Sequence, residues 1–404
     1  MQKKIVIFFF ISLLLCLPGG AEEVLIVHEW GTFTAMQDES GNAIAGINTD
    51  DEPVPQFVYR LDKFPLIHSL NDRPANWFQG APACHRDVTV RLETPVIYFY
   101  PPKSKKFENE FDVSVQFKGG WITEYFPQGE TEAPEFPHHL KNTTVGRLTW
   151  KTIKTGDFEP THQTNDHVWS TPRKVNAKSV SNADGESEKY LFYRGVGHLD
   201  SLVKVIRNLK DQSLSITGKW NKDTPLTIEH LWLVDIQKDG TVAFKTLGPV
   251  TFHEEQQEIK LPSQFEAEDF SQENLANLRN SMHGVLVKLG LFEDEATAML
   301  ETWELSYFKS PGLRLFFIVP TEWVNETLPL SISVPSRITR VMLGRIEIVT
   351  PKQREILSRI AQGPLPDLAP LTKAFYDQFR MESNDPRNTP ERSERLSTIT
   401  TMPF

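Results

Sequence analysis

Several histidines of this chain stand near other side chains of types that bind divalent metals. Neutral imidazole and carboxylate groups are good ligands for zinc and related ions. His198 and Asp200 are two positions apart, so both would point to one side of an extended strand. A divalent metal is therefore the cofactor that these residues would fit. The candidate ligands are His28, Glu29, His85, His162, His167, His198 and Asp200.

None of these residues belongs to an established metal or catalytic motif. The sequence has no His-Glu-x-x-His helix, no pair of Cys-x-x-Cys motifs and no EF-hand loop. It also has no Gly-x-Ser-x-Gly turn for a nucleophilic serine. Each histidine has a second interpretation, as a surface residue or a hydrogen-bonded core residue. The sequence assigns no catalytic residue.

Tryptophans next to carboxylates raise the question of carbohydrate binding. The chain has nine tryptophans, and Trp121, Trp303 and Trp323 each lie within three positions of a glutamate. A glycosidase needs two carboxyl groups about 5 to 9 Å apart, with aromatic faces against the sugar. Spacing in sequence does not establish such a distance, and Trp303 fits equally well as the packing residue of a helix. A glycan is therefore one candidate partner and a component of the cell envelope is another.

The first 21 residues have the layout of a secretory signal peptide. Lys3 and Lys4 precede the apolar run 5–17, and small residues follow it up to Ala21. A membrane-spanning helix needs roughly 20 apolar residues, which this run does not reach. The sequence predicts cleavage after Ala21 and an exported protein, periplasmic or extracellular, whose later apolar runs have the length of strands.

The net charge disfavours nucleic acids and anionic membranes as partners, and the cysteine content argues against an intramolecular disulfide. The formal net charge is -10 at pH 7, whereas nucleic acids and anionic membranes attract basic surfaces. The chain has two cysteines, and Cys16 would leave with the signal peptide. Cys84 is then the single thiol, so we expect no intramolecular disulfide.

The fold is predicted to be mainly β, with an α+β part at the C-terminal end. Residues 22–262 contain short runs rich in Val, Ile, Thr and aromatic residues with turn residues between them, which is typical of an antiparallel sandwich-like unit. The run Phe111–Phe117 alternates apolar and polar residues, as expected for a sheet with one face in water. Predicted strands include 24–33, 88–100, 111–117, 120–125, 191–193, 214–217 and 227–234.

The pattern changes after Pro262. Apolar residues at helical spacing predict a helical hairpin of residues 271–289 and 293–308, with Gly290 ending its first helix. Strands are expected at 313–319, 328–334 and 340–349, and Thr350 is expected to cap a helix that runs to about 361. The predicted units are a signal peptide at 1–21, a β-rich domain at 22–262, an α+β unit packed on it at 263–381 and a loose tail at 382–404.

Five short segments resemble a group of exported bacterial proteins that have no known activity. The first is Val27-His-Glu-Trp-Gly-Thr-Phe-Thr34, which resembles the opening of those proteins. The others are Glu93-Thr-Pro-Val-Ile-Tyr-Phe99, Tyr193-Arg-Gly195, Gly312-Leu-Arg314 and Arg340-Val-Met-Leu-Gly-Arg345. The resemblance implies export and a shared architecture over most of the chain, and no site residue follows from it.

Two functions from different classes fit the sequence. The first is a non-catalytic exported protein that binds a ligand or an envelope partner, and an aromatic-lined groove without a converging ionisable cluster would favour it. The second is an exported metal-dependent hydrolase. Convergence of at least three of the candidate ligands in one pocket would favour that second function.

Overall fold

A computed structural model describes residues 24–46, 54–61, 85–103, 109–218, 225–252, 259–351 and 353–355. Several predicted features lie outside these residues. They are the signal peptide 1–21, Cys84, the end of the helix beginning near Thr350 and the tail 382–404.

Strands dominate the secondary structure, which confirms the mainly β class. The described residues form β1 (Leu25–Gln37), β2 (Tyr59–Arg60), β3 (Val90–Tyr100), β4 (Glu110–Lys118), β5 (Gly120–Phe126), β6 (Glu130–Glu132), β7 (Val145–Gly156), β8 (Ser179–Ser181), β9 (Ser187–Glu188), β10 (Leu191–Gly197), β11 (Val203–Asn208), β12 (Ser213–Gly218), β13 (Leu226–Ile228), β14 (Leu231–Ile236), β15 (Val242–Leu247), β16 (Val250–Phe252), β17 (Ile259–Pro262), β18 (Gly312–Val319), β19 (Leu330–Ile332) and β20 (Ser336–Ile348).

Helices lie mainly in the C-terminal part, as expected. They are α1 (His167–Ser170), α2 (Glu273–Lys288), α3 (Glu293–Thr302) and α4 (Thr321–Thr327), with 3-10 turns at Pro172–Lys174 and Ala267–Asp269 and a π turn at Leu305–Lys309. No helix in the described ranges is both long enough and apolar enough to cross a membrane.

One large sheet brings together strands that are far apart in the chain. Its main path has the order β15-β14-β18-β20-β1-β3-β10-β5-β7-β4-β19. Among the described residues the first strand, β1, pairs in parallel with the last, β20, from Leu25 opposite Ser336 to Gln37 opposite Ile348. Strands from both sides of residue 262 therefore lie in one sheet, and this sheet is mixed because β1 and β20 run in the same direction.

The helical hairpin covers one face of this sheet, which we call the helix face. Leu278 and Met282 of α2 and Met299 of α3 are buried in one apolar cluster with Trp30 of β1 and Phe316 of β18. The apolar stripe predicted for this helix therefore faces the sheet. Gly290 ends the hairpin's first helix with a φ of 107°, a conformation that glycine adopts without steric cost.

Two smaller sheets and α4 cover the other face, which we call the strand face. The small sheets have the orders β11-β12-β17 and β13-β16. Val205, Ile216 and Phe252 from these sheets are buried with Val27 and Phe33 of β1. Because two layers of strands share this core, the arrangement is sandwich-like. Helix α4 contacts both β20 and β4, so the large sheet curls around this core.

Several local patterns in the sequence are confirmed. The Asp-Gly turn predicted at Gln237–Gly240 connects β14 to β15, and Gly240 has a φ of 82°. Thr350 and Gln353 form the expected reciprocal cap, with the Gln353 amide donating to Thr350 Oγ1 at 3.2 Å and the Thr350 amide donating to Gln353 Oε1 at 2.8 Å. Strand β4 alternates buried and exposed side chains over most of its length.

Other elements differ from the prediction. Helix α4 was not predicted, because seven residues are too few to show a helical period. The predicted strand 227–234 is two strands, β13 and β14, which belong to different sheets. The second hairpin helix ends at Thr302 instead of 308, because the chain changes to a π turn whose carbonyls bind Arg314.

Candidate functional site

The five segments that carry the sequence resemblance lie on five neighbouring strands of the large sheet. The order of these strands is β18-β20-β1-β3-β10. Residues that are far apart in sequence therefore meet at the centre of the sheet. Since successive side chains of a strand point to opposite faces, these segments contribute one group of residues to each face.

His28 points to the helix face and pairs with Glu295 of α3. His28 Nδ1 lies 2.6 Å from Glu295 Oε2. Glu295 is fully buried and also accepts hydrogen bonds from the Tyr100 hydroxyl, at 2.9 Å, and from the Phe292 amide, at 2.7 Å. The carboxylate therefore orients the His28 ring and links α3 to β1 and β3.

Glu29 points to the strand face, so it does not meet the side chain of His28. Its carboxylate is fully buried and accepts hydrogen bonds from Arg340 Nε at 2.6 Å and from the Tyr193 hydroxyl at 2.7 Å. Burial and the neighbouring Glu29 carboxylate raise the pKa of Tyr193 well above its usual range. Glu29 thus lies in a buried ion pair, where the charge of Arg340 compensates its own.

His85 and His198 lie on either side of Asp87. His198 Nδ1 donates to the Asp87 carbonyl at 2.6 Å, and His85 Nδ1 accepts from the Asp87 amide at 3.2 Å. Both hydrogen bonds are made by backbone atoms of Asp87, so this residue links the two histidines. Asp200 is exposed on the loop that follows β10.

His162 and His167 lie near the helix face, away from that pair. The His162 ring stacks on Phe57, with ring centroids 4.7 Å apart. His167 Nε2 lies 2.7 Å from the Glu301 carbonyl and its Nδ1 lies 3.2 Å from the Thr171 hydroxyl. Within the described ranges, no group of three or more His, Cys, Asp and Glu residues is arranged to hold a metal ion.

A cluster of buried charges on the helix face was not among the predicted sites. We call Arg91, Glu93, Arg194 and Arg345 the arginine cluster. Glu93 is 2% exposed, accepts a hydrogen bond from Thr34 Oγ1 at 2.9 Å, and lies 3.6 Å from Arg91 Nε. Burial raises the pKa of Glu93, and the charges of Arg345, Arg91 and Arg194 oppose that rise.

The arginine cluster continues to a second buried carboxylate, that of Glu347. Arg345 Nε donates to Glu347 Oε1 at 2.7 Å, and Arg314 Nε lies 3.3 Å from the same oxygen. Arg314 also donates to the carbonyls of Ser306, at 2.7 Å, and Ser310, at 2.6 Å. Burial lowers the pKa of Arg314 to about 10. Arg314 therefore closes the end of the helical hairpin against the sheet.

A cleft opens on the strand face, between the end of the sheet, α4 and the loop after β10. The empty space within it, counted out into the open solvent at its mouth, is about 440 Å³. Phe33 and Trp323 meet edge to face, with ring centroids 4.9 Å apart. Side chains on its walls are mostly apolar. The lining residues are Phe33, Ala35, Thr89, Val90, Leu199, Asp200, Ser201, Leu202, Phe317, Val319, Trp323, Arg345 and Ile346.

Hydrogen bonds hold the loop wall of the cleft in place. Thr89 Oγ1 donates to the Leu199 carbonyl and accepts from the Leu199 amide, both at 2.9 Å. Gln37 Nε2 donates to Ser201 Oγ at 2.9 Å and to the Val203 carbonyl at 2.8 Å. The loop is therefore attached to β1 and to the residue that precedes β3, and these bonds fix this wall of the cleft.

The opposite wall is held in place by the buried pair of Glu29 and Arg340. Arg340 Nη1 donates to the Leu328 carbonyl at 2.6 Å and to Asn325 Oδ1 at 3.1 Å. Asn325 lies in α4 and Leu328 follows it directly, so these bonds attach the helix that carries Trp323. Glu29, predicted as a metal ligand, thus contributes to positioning the cleft.

Two comparisons with known proteins find no relative of this chain. A scan against models of protein families finds no match, and a search of the curated proteins finds no similar sequence. The cleft and the buried charges must therefore be interpreted from their own chemistry. Of the predicted site residues, Asp200 is the one that lines the cleft.

Proposed function

We propose that this chain is an exported, non-catalytic protein that binds a small ligand in the cleft between the large sheet and α4. The observation that carries the proposal is the composition of the cleft. Phe33, Phe317 and Trp323 supply aromatic surface, and Asp200 supplies a single carboxylate. An aromatic-lined groove is the feature expected of a ligand-binding protein, whereas a hydrolase would need several ionisable groups that converge in one pocket.

Apolar burial would supply the affinity of such a site. Removing apolar surface from water stabilises a complex by roughly 25 cal/mol per Å², and hydrogen bonds within the fold hold the walls of the cleft. A preformed site loses little conformational freedom on binding. Both features favour a compact ligand with an apolar surface.

The two hydroxyl side chains that line the cleft, those of Thr89 and Ser201, make hydrogen bonds within the fold. Thr89 is bonded to Leu199, and the Ser201 hydroxyl donates to the Val203 carbonyl at 2.5 Å. Acyl transfer or hydrolysis requires a nucleophile, a base and an electrophilic group that meet around one reacting atom. Among the described lining residues, the groups available support recognition of a ligand and not this geometry.

The predicted export places the ligand in the periplasm or outside the cell. A component of the envelope, including a glycan fragment with an apolar face, would be available there. The acidic charge of the chain disfavours a nucleic acid or an anionic membrane surface as the partner. These considerations support a small envelope-derived molecule as the ligand class.

The test is titration of the purified full chain with N-phenyl-1-naphthylamine, a neutral probe whose fluorescence rises in apolar sites. We expect saturable binding, and we expect Ala35→Leu to weaken it at least about tenfold because the added side chain occupies the cleft. Ala276→Leu, at an exposed position of α2, is the matched control. Equal affinity of the two variants and the parent chain would show that the probe binds elsewhere.

A further inference from the structure

We infer that the ligand of the cleft is a small organic cation, recognised by aromatic rings and by the carboxylate of Asp200. This inference rests on the proposed ligand-binding function and adds the charge of the ligand to it. Faces of aromatic rings attract cations, and the attraction increases where water is excluded. Phe33, Phe317 and Trp323 all contribute to the lining of the cleft.

Among the described lining residues, the carboxylate is that of Asp200, which lies on the loop wall and is exposed to solvent. Helix α4, which carries Trp323 on the other wall, has no lysine or arginine in its sequence Thr321–Thr327. The loop segment 198–202 also has no lysine or arginine. A ligand entering between these walls therefore meets the negative charge of Asp200.

The one arginine in the lining directs its charge away from the cleft. Arg345 is 2% exposed, and its Nε donates to Glu347 on the helix face at 2.7 Å. Its pairing partner in β1 is Thr34, whose hydroxyl also lies on the helix face and binds Glu93. The guanidinium group of Arg345 thus belongs to the arginine cluster, where it pairs with Glu347.

An organic cation fits the cleft better than a metal ion does. A divalent metal requires several oxygen, nitrogen or sulfur ligands around one point, whereas the described walls are mostly apolar. A quaternary ammonium group has a large, weakly hydrated surface, and it satisfies aromatic rings and a single carboxylate together. The formal net charge of -10 would also raise the local concentration of a cationic ligand.

The test compares choline with 3,3-dimethyl-1-butanol, which has the same shape without the charge. Both are titrated into the full chain by calorimetry and as competitors of N-phenyl-1-naphthylamine. We expect choline to bind about tenfold more tightly than the alcohol. We expect Asp200→Asn to reduce that ratio several-fold, and Asp184→Asn, at an exposed turn outside the cleft, to leave it unchanged.

Each outcome separates this inference from the proposed function. If the neutral probe binds and choline and the alcohol compete equally, the cleft binds ligands without regard to charge, and the inference is wrong while the proposed function stands. If choline is preferred but Asp200→Asn and Ala35→Leu leave its affinity unchanged, the cation binds elsewhere and the inference is also wrong. Absence of binding by all three molecules overturns both.

Discussion

Glu29 and Arg340 form a buried ion pair on the strand face, between the parallel strands β1 and β20. Arg340 Nη2 lies 2.5 Å from Glu29 Oε2, and the two side chains are 4% and 0% exposed, respectively. The same guanidinium group binds the chain end of α4. One ion pair therefore connects the pairing of β1 with β20 to the helix wall of the cleft.

Removing only one member of this pair should destabilise the fold strongly. Arg340→Leu leaves the Glu29 carboxylate buried without its compensating charge, which typically costs about 3–5 kcal/mol. We expect the double variant Glu29→Leu with Arg340→Leu to recover a large part of that loss, because no charge then remains buried. Urea unfolding of the parent, both single variants and the double variant measures the coupling, and additive losses would show that the pair is not coupled.

A glycine in β20 determines how closely the strand face packs at the cleft. A Cβ atom on Gly344 would lie 2.2 Å from the ring of Phe317, which lines the cleft. We expect Gly344→Ala to displace this ring, to lower the free energy of unfolding by about 1–3 kcal/mol and to weaken binding of the neutral probe.

Gly284 provides the matched control for that substitution. It lies in α2, and a Cβ atom there would have no heavy atom within 4 Å. Alanine is a better helix former than glycine by about 1 kcal/mol, so Gly284→Ala should raise the melting temperature and leave probe binding unchanged. A gain in stability from Gly344→Ala would contradict the packing described at Phe317.

Glu93 should make stability depend on pH in a defined direction. Burial raises the pKa of this carboxyl group in the folded protein above its ordinary value of 4.5. The folded state therefore retains the proton over a pH range in which the unfolded chain releases it. The stabilising contribution of neutral Glu93 is fully present below about pH 4.5 and is lost as the pH rises through the raised pKa.

The variant Glu93→Gln isolates this contribution. It carries no titrating group at this position, so its free energy of unfolding should fall less than that of the parent between pH 4.5 and pH 8. Asp235 also has a pKa raised by burial and remains in both proteins, so its effect cancels in the comparison. Glu159→Gln, at an exposed position, is the control, and identical pH profiles for all three proteins would contradict the prediction.

Arg314 should stabilise the end of the helical hairpin specifically. Arg314→Met removes the donors that bind the carbonyls of Ser306 and Ser310 and leaves these buried acceptors without that partner, at about 1–3 kcal/mol each. We expect amide hydrogen exchange to accelerate in residues 303–310 well before it does in β1. Uniform acceleration over the whole sheet would indicate a global effect instead.

Local structure could be predicted where neighbouring residues alone determine the backbone conformation. The Asp-Gly turn between β14 and β15 and the Thr350 cap depend on neighbouring residues, and both are confirmed. The apolar period of α2 also predicted which side of the helix is buried. Helix α4 has no such period over seven residues, so only its packing between β20 and β4 reveals it.

The candidate site was less predictable, because its residues come from distant parts of the chain. His28 and Glu29 were grouped as neighbours, but alternation along β1 separates them to opposite faces of the sheet. Arginines in three of the segments that carry the resemblance mark the buried charges. Arg194, Arg314 and Arg345 are all buried beside carboxylates. The predicted metal ligands stay a prediction, and the structure places His85 and His198 on either side of Asp87.

The sequence by itself determined the mainly β class, the positions of most strands and the helical hairpin, because alternation, helical period and turn residues act over a few positions. The tertiary structure decided that β1 and β20 pair in parallel, that Arg340 compensates Glu29, and that Phe33 and Trp323 meet at one cleft. These contacts join residues about 300 positions apart. Such contacts depend on the order and register of strands, which local patterns do not specify.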